Sequence, residues 1–237
     1  MPNFYKVFTT VFFALALSAC GVEVQIDNGS GIESGNESGN GSDNGSDNES
    51  GNGSDNGSDN GSDNGAETLA NQFTIVTSMG TIKIELDPVN APITTANFEQ
   101  YADDGFYDGR DGDGATVFHR IISGFMIQGG GYKESGSQKS TRSSINIESD
   151  NGLSNDRGTL AMARTNDPNS ATSQFFINHT NNSFLNYSDS SNPGYAVFGV
   201  VLEGLDVVDA IAAVDTDGND EPFSPVVITS VTRTLAP

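Results

Sequence analysis

The chain has 237 residues, with 32 Asp and Glu against 10 Lys and Arg, which gives a formal net charge of −22. So acidic a chain is poorly suited to the phosphate backbone of nucleic acids, which requires clustered cations. A single cysteine excludes an intramolecular disulfide, and no HExxH, CxxC or Cys/His cluster suggests a zinc site. The sequence therefore predicts no nucleic-acid partner, no metal and no other cofactor.

The N-terminus has the pattern of a secretory signal peptide. Lys6 provides a positive charge, and residues 7–17 form an apolar run that is too short to span a bilayer comfortably. The run ends in Leu17-Ser18-Ala19-Cys20, which resembles the lipobox of bacterial lipoproteins. We expect residues 1–19 to be the signal peptide and Cys20 to be lipidated, with an ordinary signal and an incidental cysteine as the alternative.

The residue after this cysteine is Gly21 and not Asp. By the sorting rule of enteric bacteria, this resembles an outer-membrane lipoprotein. The predicted location is therefore the cell envelope, with the chain anchored in the outer membrane through Cys20 and facing the periplasm or the cell surface.

Residues 20–70 are of low complexity. The tetrapeptide Gly-Ser-Asp-Asn occurs five times between residues 41 and 64, and Ile32 is the only large apolar residue between Asp27 and Gly65. A segment with so little apolar surface to bury cannot offset the entropy lost on folding. We expect a disordered tether, with calcium binding by the repeats as the alternative, and one folded domain over residues 71–237.

The folded part begins with two alternating runs, 73–77 and 81–87, that predict a hairpin. Pro92 indicates the first turn of a helix that ends at Gly105. Further strands are expected at 116–122, 125–129, 158–164, 173–178, 196–202 and 226–233, and a second helix at 206–213. Many short strands with few helices favour a mainly β fold, a closed antiparallel barrel with helices over its ends.

The segment from Val117 to Gly131 combines a lone cation with apolar side chains. Strand alternation predicts that Phe118, Arg120 and Ile122 share one face. An arginine offers five donors and a permanent charge, so it can polarise an amide but cannot serve as a general base.

This segment resembles the cyclophilin peptidyl-prolyl isomerases, whose FHRxIxxFMIQGG motif is present at 118–130. Two further blocks resemble the family in the same order, 158–164 followed by 173–178, and 184–185 followed by 195–199. The resemblance covers about residues 72–236 and implies an eight-stranded barrel capped by two helices. It also implies a monomeric, cofactor-free isomerase acting on X–Pro bonds of secreted or envelope proteins. A chaperone or scaffold that binds Pro-containing segments, with incidental turnover, is the alternative.

The resemblance also implies roles for individual residues. Arg120 takes the place of the catalytic arginine and Gln128 that of an amide holding it, while His119 is a third candidate catalytic residue with a structural alternative. The implied substrate-binding residues are Phe125, Met126, Ala163, Arg164, Gln174, Phe176, Phe184, Leu185 and Tyr195. Because eukaryotic members have Trp where this chain has Phe184, we expect only weak binding of cyclosporin-type inhibitors. His179 is interpreted as a surface residue of a loop.

Two acidic loops, 108–114 and 215–221, contain Asp and Gly in an arrangement similar to part of a calcium-binding loop. Neither has the complete twelve-residue spacing with a terminal bidentate Glu. Weak calcium binding and ordinary turn chemistry both remain open at this point.

Overall fold

A computed structural model describes residues 71–234 of the chain. The predicted signal peptide, the lipidation site Cys20 and the low-complexity segment lie outside the described residues, as do residues 235–237. Neither helix of the described part is both long and apolar enough to cross a membrane.

The described residues form nine strands and two α-helices. The strands are β1 (Gln72–Thr77), β2 (Gly80–Leu86), β3 (Asp108–Gly109), β4 (Gly114–Ile122), β5 (Met126–Lys133), β6 (Thr159–Met162), β7 (Phe175–Asn178), β8 (Val197–Glu203) and β9 (Val226–Arg233). The helices are α1 (Pro92–Asp103) and α2 (Leu205–Ala212), and a 3₁₀ turn covers Ser183–Leu185.

Eight of these strands close into an antiparallel barrel. Their order is β4-β5-β7-β6-β8-β2-β1-β9, and β9 pairs with β4 to complete the ring, while the two-residue β3 pairs only with β4. The closed ring leaves none of the eight as an open edge. The expected barrel and its two helices are thus confirmed, including the hairpin of β1 and β2, which pair from Gln72 with Glu85 to Thr77 with Gly80.

The barrel interior is the main apolar core, and α1 contributes its central aromatic residue. The ring of Phe98 lies within 5.2 to 5.7 Å of the rings of Phe73, Tyr107 and Phe175. Burying an aromatic side chain of this size contributes about 1.5–3 kcal/mol to stability. The first turn of α1 is capped from outside the helix, because the Glu148 carboxylate accepts its backbone N–H groups.

Strand β5 is longer than the predicted run 125–129, because it continues through Gly129-Gly130-Gly131. A Cβ at Gly129 would lie 2.9 Å from the ring of Phe118, and one at Gly131 would lie 2.5 Å from the side chain of Gln174. The glycines therefore mark close packing across neighbouring strands and not the end of this strand. The run predicted at 158–164 is shorter in the structure, where β6 ends at Met162.

Candidate active site

A row of paired residues crosses four neighbouring strands on the outside of the barrel. Arg120 of β4 pairs with Gln128 of β5, which pairs with Phe176 of β7, which pairs with Ala161 of β6. Directly opposed residues of an antiparallel sheet project to the same face, and strands lie about 4.8 Å apart. The row therefore places a guanidinium and an aromatic ring on one outer surface, roughly 10 Å apart at their backbones.

Arg120 reaches this outer face because of a β-bulge. The register between β4 and β5 shifts between Phe118 and Arg120, so that both Phe118 and Ile121 are buried in the barrel core. The prediction that Phe118, Arg120 and Ile122 share one strand face is therefore wrong for Phe118, which the bulge turns into the core, whereas Arg120 and Ile122 share the outer face. Bulges commonly redirect a side chain beside a functional site.

A second apolar cluster, separate from the barrel core, lies along this row. We call it the outer pocket; its buried members are Met126, Ala161, Ala163, Phe176, Leu185 and Val197, with Ile122, Phe125, Leu153 and Tyr195 packed against them. It brings together most of the residues expected to bind substrate. The pocket is an apolar surface of the chemistry that suits a prolyl ring.

The rim of the outer pocket is aromatic and partly exposed. Phe184 is 62% exposed, and its ring stacks on that of Phe125 at 5.6 Å. On the other side, the ring of Tyr195 meets that of Phe176 edge to face at 5.7 Å. The guanidinium of Arg164 lies 4.5 Å above the Tyr195 ring and donates to the carbonyl oxygens of Gly194 and Thr165. Arg164 therefore acts on the pocket by fixing its Tyr195 wall.

Three buried asparagines hold the backbone behind the pocket. Asn182 donates to the carbonyl oxygen of Phe125 and to the side chain of Asn178, which in turn donates to the side chain of Asn155. Asn155 donates to the carbonyl oxygens of Leu185 and Tyr195. This asparagine network ties three separate pocket segments together.

Sequence reasoning does not find the asparagine network, since an asparagine near a strand end is ordinarily interpreted as a turn former. His179 lies in a loop, as interpreted, but its imidazole is only 19% exposed and makes contacts within the protein. Its Nδ1 accepts the N–H of Gly124 at 2.9 Å, and its Nε2 lies 3.1 Å from the Asp209 carboxylate. It therefore fixes the turn immediately before Phe125.

At the polar end of the row, which contains Arg120 and Gln128, the hydrogen bonds differ from the expected ones. Gln128 donates through Nε2 to Oε1 of Gln174 at 2.9 Å, so the two amides bond to each other and not to Arg120. The Arg120 guanidinium is held by Asp220, whose Oδ2 lies 3.4 Å from Nε. The expectation that Gln128 holds the arginine is thus corrected, because no hydrogen bond joins the two side chains and the guanidinium bonds to Asp220 instead.

His119 adjoins Arg120 along β4, and its ring lies tilted against that of Tyr132, with 4.6 Å between the ring centroids. Burial lowers the pKa of His119 to about 4, and the nearby Arg120 cation acts in the same direction. Its Nδ1 is buried without a hydrogen-bond partner among the described residues. The imidazole is therefore neutral near pH 7 and does not carry a proton to donate as imidazolium.

A groove of about 760 Å³ continues from this polar side. The residues that line it include Arg120, Gln128, Ala163, Gln174 and Pro222. Together, the apolar pocket and this polar groove form one extended surface with Arg120 and Gln128 at their junction. Such an arrangement suits a peptide bound in extended form, with one apolar residue inserted.

The carboxylates of the acidic loops bind cationic side chains and backbone amides of the protein itself. In 108–114, Asp111 pairs at 2.8 Å with Lys139, a buried ammonium that also donates to the carbonyl oxygens of Phe106 and Gly114. In 215–221, Asp217 accepts backbone N–H groups of the same loop. Within residues 71–234, no three His, Cys, Asp or Glu side chains group closely enough to hold a metal ion.

Comparison with known proteins gives a consistent result. The family model described as cyclophilin type peptidyl-prolyl cis-trans isomerase/CLD matches residues 72–233. A peptidyl-prolyl cis-trans isomerase of Streptomyces antibioticus is 55% identical over 161 residues, covering 65% of this chain and 93% of that protein. Peptidyl-prolyl cis-trans isomerase B of Escherichia coli is 48% identical over 165 residues, covering 67% of this chain and 97% of that protein.

A solved structure is similar in fold as well. A cyclophilin type peptidyl-prolyl cis-trans isomerase of Cryptosporidium parvum, crystallised in the presence of the dipeptide Ala-Pro, has a TM-score of 0.58 and 27% sequence identity to this chain. The match covers 70% of this chain and 99% of that structure. The matched part thus corresponds to essentially the whole of that protein.

Proposed function

The chain belongs to the cyclophilin-type peptidyl-prolyl cis-trans isomerases, and from that premise we propose that Arg120 accelerates rotation about X–Pro bonds held in the outer pocket. The activity is the interconversion of cis and trans X–Pro peptide bonds. This reaction makes and breaks no covalent bond, so the residues of the site need only bind the peptide and lower the rotational barrier.

Rotation of an X–Pro bond is slow because amide resonance must be broken, at a barrier of about 18–20 kcal/mol. At the twisted transition state the prolyl nitrogen becomes pyramidal and gains a lone pair. A guanidinium N–H directed at this lone pair stabilises the transition state and not the planar ground state. No covalent intermediate and no transferred proton are needed.

One observation carries this assignment, namely the row that places Arg120 and Phe176 on one outer face with Gln128 between them. The prolyl ring would occupy the outer pocket against Phe176, so that its nitrogen faces the guanidinium. Among the described residues, the terminal nitrogens of Arg120 have no hydrogen-bond partner, because Asp220 is bonded to Nε alone. Those nitrogens are therefore available to a substrate.

The neighbouring groups support this role without taking part in proton transfer. The apolar pocket partly desolvates the prolyl amide, which favours the less polar twisted state. The Gln128–Gln174 pair and the backbone of Ala163 offer hydrogen-bonding groups to the peptide main chain along the groove. His119 is neutral near pH 7, and we therefore assign it a structural role.

Kinetics of the full chain on an Ala-Pro-containing peptide would test the assignment. We expect Arg120→Ala to lower kcat/KM by about 10²–10³-fold, as is typical when one preorganised donor is removed. Arg120→Lys restores little, because an ammonium lacks the planar fork that lets one N–H bond to Asp220 while another faces the prolyl nitrogen. Lys83→Ala removes an exposed cation elsewhere on the barrel and serves as the control. Wild-type turnover in Arg120→Ala would contradict the proposed mechanism.

We further propose that the enzyme acts in the cell envelope, anchored through lipid on Cys20, and that its substrates are secreted or envelope proteins. The support is the lipobox-like sequence Leu17-Ser18-Ala19-Cys20 after an apolar run. Two or three acyl chains are enough for stable membrane attachment, whereas one is marginal.

Metabolic labelling with a fatty acid, followed by membrane fractionation, tests this location. Cys20→Ser should lose the label and leave the membrane fraction, while Ser18→Ala, which keeps a small residue at its position, should retain both. A Cys20→Ser chain that still carries label and sediments with membranes rules out the anchor.

A further inference from the structure

The loop of residues 215–222 lies against the strand that carries Arg120. A bridge between Thr216 and Pro222 closes the loop, and the carbonyl oxygen of Asp220 accepts the N–H of Ile121 at 2.8 Å. Ile121 is the residue next to Arg120. The backbone of Asp220 is therefore fixed to β4 one residue away from the proposed catalytic side chain.

Asp220 is also conformationally unusual. With φ of +65°, it is the only non-glycine residue between 71 and 234 that has a positive φ. Asp and Asn enter this left-handed region more readily than other side-chain-bearing residues, although the conformation still carries a cost. Such residues persist where the surrounding structure enforces them, and they concentrate at functional sites.

The loop itself provides that enforcement. The Asp217 carboxylate accepts the backbone N–H groups of Asn219 at 2.8 Å and Glu221 at 3.0 Å. These bonds lower the pKa of Asp217, that from Asn219 most strongly, so the carboxylate remains ionised across neutral pH. Asp220 lies between the two anchored amides, and its carboxylate is consequently directed at Arg120.

The contact with Arg120 uses only one of its three nitrogens. Asp220 Oδ2 lies 3.4 Å from Nε, and Gln128, the partner expected from the sequence, bonds through Nε2 to Gln174 and makes no hydrogen bond to the guanidinium. An arginine on a strand has several rotatable bonds, and orienting it in advance increases the fraction of enzyme that is ready to react.

We propose that Asp220 is a positioning residue for catalysis, which holds the Nε side of Arg120 so that the terminal N–H groups face the prolyl nitrogen. This proposal rests on the role given to Arg120 above. Both side chains are partly exposed, so solvent screens their attraction. Asp220 therefore contributes by orienting the guanidinium and not by strong electrostatic attraction.

Two substitutions at Asp220 separate orientation from backbone strain. Asp220→Gly keeps the positive φ without cost and removes the carboxylate, and we expect kcat to fall about 10-fold with KM changed less than about 2-fold. Asp220→Asn also tolerates the backbone and retains an oxygen that can accept from Nε. It should recover most of the loss, to within about 3-fold of wild type.

A double-mutant cycle shows whether the effect passes through Arg120. In an Arg120→Ala background, Asp220→Gly should change kcat by less than about 2-fold. Asp215→Asn is the matched control, because it removes the same charge from an exposed position of the same loop; it should leave kcat and KM at wild-type values. All variants are compared by thermal melting, where Asp220→Gly should stay within a few degrees of wild type.

The outcomes distinguish this proposal from the mechanism on which it depends. Wild-type kcat in Asp220→Gly overturns the positioning role, as does a loss of equal size in the Arg120→Ala background. A parallel change in kcat, KM and melting temperature would show a structural role only and would also overturn it. Wild-type turnover of Arg120→Ala, by contrast, overturns the proposed function of Arg120 itself.

Discussion

The two halves of the active surface are held in place by different means. On the pocket side, buried asparagines bond to the carbonyl oxygens of Phe125, Leu185 and Tyr195, so fully buried polar groups fix the apolar wall. On the arginine side, a partly exposed guanidinium is directed outward by a bulge and is held by one carboxylate of a surface loop.

From this difference we expect that substitutions can change substrate binding and catalytic rate separately. The pocket is part of the cooperative fold. Removing one member of a buried hydrogen-bond network leaves its partners unpaired and lowers the stability of the whole domain. The arginine side is attached to the fold at a few points and can be altered while the barrel remains intact. Variants on the pocket side should therefore change stability and KM, and variants on the arginine side should change kcat.

The largest effect on the pocket side is expected from Asn178→Leu, which keeps the side-chain size but removes all of its hydrogen bonds. Asn155 loses an incoming donor and Asn182 loses an acceptor, both in buried positions. Each buried group left unpaired costs about 1–3 kcal/mol. We expect the free energy of unfolding to fall by about 2–4 kcal/mol, measured by denaturant titration, with a clear rise in KM.

Asn166→Leu is the control for this substitution, because Asn166 is exposed. Its change in stability should stay within about 0.5 kcal/mol. If Asn178→Leu matches the control in both stability and KM, the asparagine network does not support the pocket.

The contrast between the two sides also explains how much could be predicted from the sequence. The barrel follows from strand alternation, whereas the outer pocket and the candidate arginine follow from motifs of single segments that resemble the cyclophilins, such as the segments containing Phe125-Met126 and Phe175-Phe176. Each of these patterns lies within a short stretch of sequence, so it can be recognised without the tertiary structure.

The elements that fix the site were not predictable in this way. The bulge before Arg120 depends on which residue of β5 pairs with it, and Asp220 is 100 residues away along the chain. In the sequence Asp220 is only one member of an acidic loop, because its contact with Arg120 and its left-handed backbone both arise from packing. Pairings at such distances in sequence are set by the whole barrel and not by local propensity.

A smaller effect is expected when the rim of the pocket is loosened. Arg164→Leu removes the cation above the Tyr195 ring and the bonds to the carbonyl oxygens of Gly194 and Thr165. We expect KM to rise about 10-fold, equivalent to about 1.4 kcal/mol, while kcat changes little. Lys83→Leu, at an exposed ion pair with Glu203, is the comparison. A fall in kcat at constant KM would contradict the separation of the two sides.

A still smaller change concerns inhibitors at the exposed rim. Phe184 lies open to solvent over the stacked Phe125, so a bulkier ring can be placed there without repacking the pocket. Phe184→Trp adds one indole N–H donor, worth about 0.5–1.5 kcal/mol, and should tighten cyclosporin binding by about 3–10-fold. The inhibition constants of wild type and variant are the measurement, and kcat/KM is measured alongside them. Equal inhibition constants would exclude this rim position as the cause of weak binding.

The smallest expected effect is that of pH on the rate, and it bears on the arginine side directly. The proposed mechanism uses a guanidinium, which carries a permanent charge, and burial keeps the pKa of His119 at about 4. We therefore expect kcat/KM to be flat between about pH 6 and 8 in wild type and in His119→Gln.

Stability behaves differently at lower pH, because the unfolded chain protonates His119 below about pH 6.5 whereas the folded chain does so only near pH 4. The stability associated with neutral His119 is thus fully present above pH 6.5 and is lost as the pH falls toward 4, a loss that His119→Gln should reduce in melting experiments. A bell-shaped profile of kcat/KM against pH, centred near a histidine pKa and absent in His119→Gln, would instead show that His119 donates a proton. Arg120 would then not be the only catalytic residue.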